Sequence, residues 1–128
     1  INSPVGRLGL AVCYDLRFPE LFRQMLVQNV EVIALPAAFT HATGQAHWDV
    51  LLRARAIENQ CFILAAAQSG EHFAGRRTFG HSQIIDPWGS VLSQHAHGWG
   101  LALGEIDRVQ QAALRMHFPA LRHRQIGC

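Results

Sequence analysis

The stretch "LGLAVCYDLRFPE", Leu8 to Glu20, decides how the chain is read. Small and aliphatic residues run up to one cysteine, Cys13, and Tyr14, Asp15, Arg17, Phe18 and Glu20 crowd in directly behind it. The apolar run Arg7 to Val12 reads as a buried strand. Pro19 suits the first turn of a helix, where its missing N–H costs nothing, and Leu21, Phe22, Met25 and Leu26 then recur at helical spacing, with Glu20 near the positive end. A helix is therefore expected from Pro19 to about Gln28. Glu31 to Leu35 follows as a second buried strand, closed by Pro36. Strand, turn, helix, strand is a parallel crossover.

Working outward, Ser3-Pro4-Val5-Gly6 is a turn signal. A turn so early needs a strand before it, expected upstream of Ile1. Ala37 to Gly44 reads as a loop. From Ala46 to about Cys61 a helix would place Val50, Leu51, Ala54, Ile57 and Cys61 on one face, with Asp49 supporting Arg53 one turn later. Phe62 to Ala67 is a third buried strand, and Gln68 to Gly80 a surface loop of the kind that carries sites. Ser82 to Ile85, Val91 to Gln94 and Leu101 to Ile106 read as strands, the first two joined by a turn at Asp86-Pro87-Trp88-Gly89. Asp107 can cap a last helix through about Met116, and the tail HFPALRHRQIGC has no period. The order is that of a mixed α/β unit with helices covering a sheet face.

Composition narrows the class. The 128 residues suffice for one domain with a real core. All 11 basic residues are arginine, scattered and often near an acid, so no basic stripe suggests nucleic acid. No apolar run is long enough for a membrane span. Cys13, Cys61 and Cys128 are odd in number and far apart, which argues against a disulfide framework and for a reducing, cytoplasmic compartment. The 8 histidines show neither HExxH nor a ligand spacing on a helix, so no metal is expected. Neither GxGxxG nor a P-loop occurs, and no cofactor is expected.

A thiol becomes a useful nucleophile on an exposed strand-to-helix turn, where free N–H groups favour a thiolate and a developing oxyanion. An ordinary thiol, with a pKa of about 8.5, is only a few per cent thiolate at neutral pH, so a catalytic cysteine needs a base or cation beside it. The alternative for Cys13 is a buried small hydrophobe. An adjacent arginine and two acids serve no purpose around a merely structural cysteine.

LGLAVCYDLRFPEL resembles the nucleophile motif of the nitrilase superfamily, the carbon-nitrogen hydrolases that cleave amides and nitriles through a cysteine thioester. PAAFTHATGQAHWDVLLRARAIENQCFILAAAQSGEH and RRTFGHSQIIDPWGSVL resemble the segments that follow it in amidases of that superfamily, and together they look most like the deaminated glutathione amidase branch, with the ω-amidase branch next. The resemblance implies a four-layer α-β-β-α sandwich, association into dimers or larger homo-oligomers, and a Glu-Lys-Cys triad in which Glu is the general base and Lys stabilises the tetrahedral intermediate. Cys13 matches the nucleophile. The family's Glu and Lys lie upstream of it, whereas the twelve residues before Cys13 hold no acid, and lysine is absent from the chain. Residues 1–128 are accordingly expected to be a partial carbon-nitrogen hydrolase domain, the C-terminal half of the sandwich, without turnover when alone.

On this reading the substrate is a small carboxylated amide such as deaminated glutathione, and the product is ammonia. Tyr14 would offer its backbone N–H to the oxyanion. Arg17 would either pair with Glu20 or meet a substrate carboxylate in bidentate fashion. Asp15 reads as a turn former. Phe39, Thr40 and Thr43, with His47, could line the pocket, Phe39 serving equally well as core. Glu58 could pair with an arginine or stand as a second carboxylate near the site. His81 is the candidate partner for a competing Cys-His hydrolase reading, and a non-catalytic half-domain kept as an interaction module is the remaining alternative.

Overall fold

The computed structural model describes residues 1–126, so Cys128 lies outside the described residues. Pro4 and Val5 turn the chain between Asn2–Ser3 (β1) and Gly6–Leu10 (β2), which pair antiparallel with Ser3 opposite Gly6. The strand expected upstream of Ile1 is thus supplied by residues 2 and 3. Ser3 Oγ donates to Gly6 O at 2.6 Å and closes the turn. Gly6 has φ of +113°, and a Cβ there would meet the Glu31 carboxylate at 2.8 Å, so both its freedom and its lack of a side chain are used.

The crossover read from the opening stretch forms. After β2 come the helix Pro19–Val27 (α1) and the strand Val32–Ala37 (β3), parallel to β2 with Leu8 opposite Val32. A second crossover runs through His41–Asn59 (α2) to Phe62–Ala67 (β4), again parallel, with Val32 opposite Phe62. Ser69–Glu71 (β5) and Arg77–Phe79 (β6) form a small antiparallel ribbon where a plain loop was expected. Ser82–Ile85 (β7) pairs antiparallel with β4, and Val91–His95 (β8) with β7. The sheet order is β1-β2-β3-β4-β7-β8. Asp86 makes the β7–β8 turn, its carboxylate accepting from the N–H groups of Trp88 and Ser90.

Leu101 to Ile106 is not a strand. It is tethered through the Leu103 N–H donating to Ser93 Oγ rather than by a ladder, and Leu101 and Leu103 point outward, 79% and 75% exposed. Its apolar character mimics a strand, but no backbone partner is in register. Arg108–His117 (α3) follows as expected, with the Asp107 carboxylate accepting from the Gln110 N–H at 2.8 Å.

One sheet face carries Ile33, Leu35, Ile63, Ala65 and Ile85, all buried against Phe22, Trp48, Leu52 and Ala56 of α1 and α2. On the other face Leu10, Pro36 and Ala66 are exposed. A sheet with helices on one face is a two-layer α/β unit. The inward phase of α2 differs from the expected one: Trp48, Leu52, Arg55, Ala56 and Asn59 are buried, while Val50 and Ile57 are 67% and 48% exposed. The helix starts at His41 rather than Ala46. Trp48, which hydrogen-bonds His81 O and is fully buried, sets its rotation more strongly than the smaller aliphatic residues do. Asp49 and Arg53 consequently bond elsewhere, Asp49 accepting from Gln83 Nε2 and Arg53 donating to Gly89 O. The helix stops at Asn59 because Gln60 turns left-handed, which puts Cys61 beyond its end.

At the sheet end where β3 and β4 begin, Glu31 ties β2 to α3. Its carboxylate accepts from the Arg7 N–H at 2.8 Å and from two nitrogens of Arg108 at 3.1 and 2.9 Å. Partial burial pushes the Glu31 carboxyl up, but the Arg7 N–H and the Arg108 guanidinium together outweigh it and hold the pKa below the ordinary value. A depressed folded-state pKa stabilises the fold fully above the unfolded value, about pH 4.3, and the contribution is lost as pH falls through the folded value. Glu31→Gln should therefore flatten the acid limb of stability measured by urea unfolding between pH 3 and 7. At neutral pH it should cost no more than about 1 kcal/mol, since Arg108 is largely solvated.

Candidate active site

Cys13 sits just beyond the end of β2 with φ of +46°, a left-handed conformation uncommon for a residue with a Cβ. It opens a 3-10 turn, Cys13–Arg17, that intervenes before α1. The expected direct strand-to-α-helix turn is therefore modified, since the α1 N-terminus lies one short helix away from the thiol. Asp15 shapes this turn: its carboxylate accepts from the Val12 N–H at 2.8 Å, and its own N–H donates to Val12 O at 3.0 Å. Leu16 anchors the turn in the core, fully buried. The result is a half-buried thiol presented at the sheet edge.

Two cavities meet at Cys13. The smaller, of about 430 Å³, is lined by Cys13, Tyr14, Arg17, Ala38, Phe39, Thr40, Thr43 and His47. It gathers Cys13 and the five residues singled out with it as site residues, together with His47. Phe39 is nonetheless core as well, 3% exposed and tilted against Trp48 at 5.1 Å between centroids. The Arg17 guanidinium lies over the Phe39 ring at 4.9 Å and over Tyr14 at 5.4 Å, and Nη1 is 3.2 Å from His47 Nδ1. Arg17 and Glu20 form no ion pair among the described residues. These two ring contacts hold the guanidinium at the cleft wall, where it lines the same cavity as the thiol. Thr40 and Thr43 hydroxyls are 2.6 Å apart.

The larger cavity, of about 850 Å³, opens on the other side of Cys13. Val12, Pro36, Ala37, Ala66 and Ala67 form its apolar part, and Gln68, Ser69, Ser82, His95 and the Gly98-Trp99-Gly100 loop its rim. Gln68 and Ser69 fall in the segment expected to carry sites, whereas Ser82, His95 and the Gly98-Trp99-Gly100 loop were not found from the sequence. The latter come from the start of β7, the end of β8 and the loop after it, far from Cys13 in the chain, and nothing in their spacing points to one another. Arg55 was also missed, although its signal was present: an arginine in the apolar register of α2, three residues before Glu58.

Glu58, His81 and Cys61 line neither cavity at Cys13. Glu58 accepts from Arg55 Nη1 at 2.9 Å and lies 4.0 Å from Arg23, lining neither cavity, so the paired reading holds over that of a second site carboxylate. His81 stacks on Phe79 at 4.1 Å and also lines neither cavity, so its observed contacts are structural ones. Cys61 is sealed in, its thiol donating to Val30 O at 3.1 Å, and burial pushes its pKa up to about 11, with Arg115 opposing only in part. Such a thiol is inert. Among the described residues no group of three or more His, Cys, Asp or Glu gathers as a metal-ligand set, and no helix is long and apolar enough to cross a membrane.

Known proteins resemble this chain over nearly its whole length. Residues 1–116 match the family model described as carbon-nitrogen hydrolase. Deaminated glutathione amidase of Yersinia enterocolitica is 52% identical over 122 residues, covering 95% of this chain and 43% of that protein. The Homo sapiens protein of the same name is 49% identical, covering 98% of this chain and 38% of its own length. The crystal structure of the C. elegans NitFhit protein superposes with a TM-score of 0.94 at 47% identity, over 97% of this chain and 30% of that one. The chain thus spans less than half the length of these relatives.

Proposed function

This chain belongs to the carbon-nitrogen hydrolase family, and from that premise we propose that it is the nucleophile-bearing part of a longer amidase that releases ammonia from a small carboxylated amide, of the deaminated glutathione type. The observation that carries the reading is the convergence of a half-buried Cys13 in a left-handed conformation and of Arg17, held over the Phe39 ring, on one cleft. The relatives that bear the amidase name support the substrate class.

The chemistry follows from the arrangement. Cys13 Sγ gives up its proton to a base and attacks the amide carbonyl carbon, forming a C–S bond while the carbonyl π pair moves to oxygen. The Tyr14 backbone N–H stabilises that oxyanion. Collapse breaks the C–N bond, the nitrogen leaves as ammonia with a proton from the conjugate acid of the base, and a thioester remains on Cys13. Water, activated by the same base, then releases the carboxylic acid and restores the thiol. The family's Glu and Lys would supply the base and the oxyanion cation from the portion of the relatives' length that this chain does not span. Arg17 would hold the distal substrate carboxylate, with Thr40 and Thr43 bonding the polar atoms between it and the reacting amide and Phe39 forming the floor. We assign the protein to the cytoplasm as a dimer or larger homo-oligomer, the exposed Val50 and Ile57 of α2 offering an apolar contact surface.

The test uses the full-length protein with paired amides that differ only in a terminal carboxylate. Arg17→Met should raise KM for the carboxylated amide by about tenfold to a hundredfold, the loss of a charge-assisted bidentate contact. It should leave the uncharged analogue unchanged. Equal effects on both amides, or wild-type protein that hydrolyses neither, would refute the assignment.

A further inference from the structure

We infer that Arg55 is a positioning residue for the nucleophile: its guanidinium clamps the turn that carries Cys13 and keeps that turn in its strained form. The inference rests on Cys13 being the nucleophile and adds a residue that lines neither of the thiol's cavities.

Arg55 is 5% exposed on the inward face of α2. Burying a guanidinium costs several kcal/mol unless its donors are satisfied, and every nitrogen here has a partner. Nη1 donates to Glu58 Oε1 at 2.9 Å. The other two, Nε at 3.1 Å and Nη2 at 2.9 Å, converge on one acceptor, Leu16 O, 39 residues away in the chain. The guanidinium carbon lies over the Phe22 ring, 5.3 Å from its centroid. Leu16 belongs to the 3-10 turn that Cys13 opens.

That turn needs holding. A non-glycine residue in the left-handed region is disfavoured by about 1–2 kcal/mol and persists only where its surroundings over-determine it. Asp15 fixes the entry through the Val12 N–H, and Arg55 fixes the exit through Leu16 O. The exit clamp is the one anchored outside the turn, in the longest helix of the chain. Two nitrogens on one carbonyl define both its position and its direction, which a single ammonium does not. A displacement of about 1 Å at a reacting atom can cost roughly a hundredfold in rate.

The experiment compares Arg55→Lys and Glu58→Gln in the full-length protein. Arg55→Lys keeps the charge beside Glu58 and loses the two-nitrogen clamp. Its kcat for ammonia release should fall by about tenfold to a hundredfold with KM within twofold of wild type. Alkylation of Cys13 by iodoacetamide, followed on the Cys13 peptide by mass spectrometry, should slow by at least about threefold. Glu58→Gln breaks the ion pair and leaves the clamp, so it should lower the thermal midpoint without moving kcat or the alkylation rate. Unchanged kcat and alkylation in Arg55→Lys would overturn the inference, as would a Glu58→Gln protein that reproduces the Arg55→Lys losses. If Arg55→Lys does not fold, Arg55→Gln, which can give Leu16 O a single bond, is read by the same criteria. Wild-type protein that turns over no amide would refute the amidase assignment, while the alkylation comparison would still decide the clamp.

Discussion

Cys13→Ala in the full-length protein should abolish ammonia release, with a fall in kcat on the order of 10⁴-fold or more, because no other described thiol can take over. Cys61 is 1% exposed, hydrogen-bonded to backbone carbonyl oxygens and held as a neutral thiol by burial. The substitution keeps a Cβ in the left-handed conformation, so the turn's strain is unaltered and the fold should be retained. Two measurements check this. Amide turnover should vanish at an unchanged circular dichroism spectrum, and intact-mass analysis of rapidly quenched wild-type reactions should show an acyl adduct that the variant lacks. An adduct on another residue, or residual turnover within about tenfold of wild type, would remove Cys13 from the mechanism and with it the reading of both cavities.

The second large effect is on stability. Trp48→Ala should cost about 3–5 kcal/mol, the range for emptying a fully buried large side chain in a core that relaxes only in part. Trp48 is 0% exposed, supports Phe39 from below and gives its indole N–H to His81 O at 2.9 Å. Trp48→Phe keeps much of the packing and leaves that carbonyl without its donor, so it should cost less, about 1–3 kcal/mol. Denaturant unfolding of the three proteins should rank them wild type, Phe, Ala. Because the Phe39 ring carries the Arg17 guanidinium, the alanine variant should also weaken carboxylated substrates before it unfolds. Equal stability of the alanine variant and wild type would contradict the placement of α2 on the sheet.

The opening stretch foretold a good deal for identifiable reasons. Periodicity and Pro19 delimit α1 because a helix start and an apolar stripe are local matters, and Asp107 caps α3 through a bond to a residue three positions on. Leu101 to Ile106 failed because apolar content is necessary for a strand but a ladder also needs a partner in register. The phase of α2 failed for a related reason. Val50 and Ile57 satisfy a helical period as well as Trp48 and Leu52 do, and the choice falls to whichever set finds a surface to fill.

The site divides along the same line. Local order along the chain determined that a cysteine would end a strand in a tight turn among polar residues, and that the segment after the next strand would bring Phe39, Thr40 and Thr43 back to it, since a parallel crossover returns successive strand ends to the same edge, although Thr43 stands in the first turn of α2 and not in a loop. Only the tertiary structure decided that Arg17 turns to Phe39 and His47 instead of Glu20, that His95 and Trp99 border a second cavity, and that Arg55 reaches the Cys13 turn. Those contacts join residues tens of positions apart, and their free energy depends on burial that exists only once the helices have closed on the sheet.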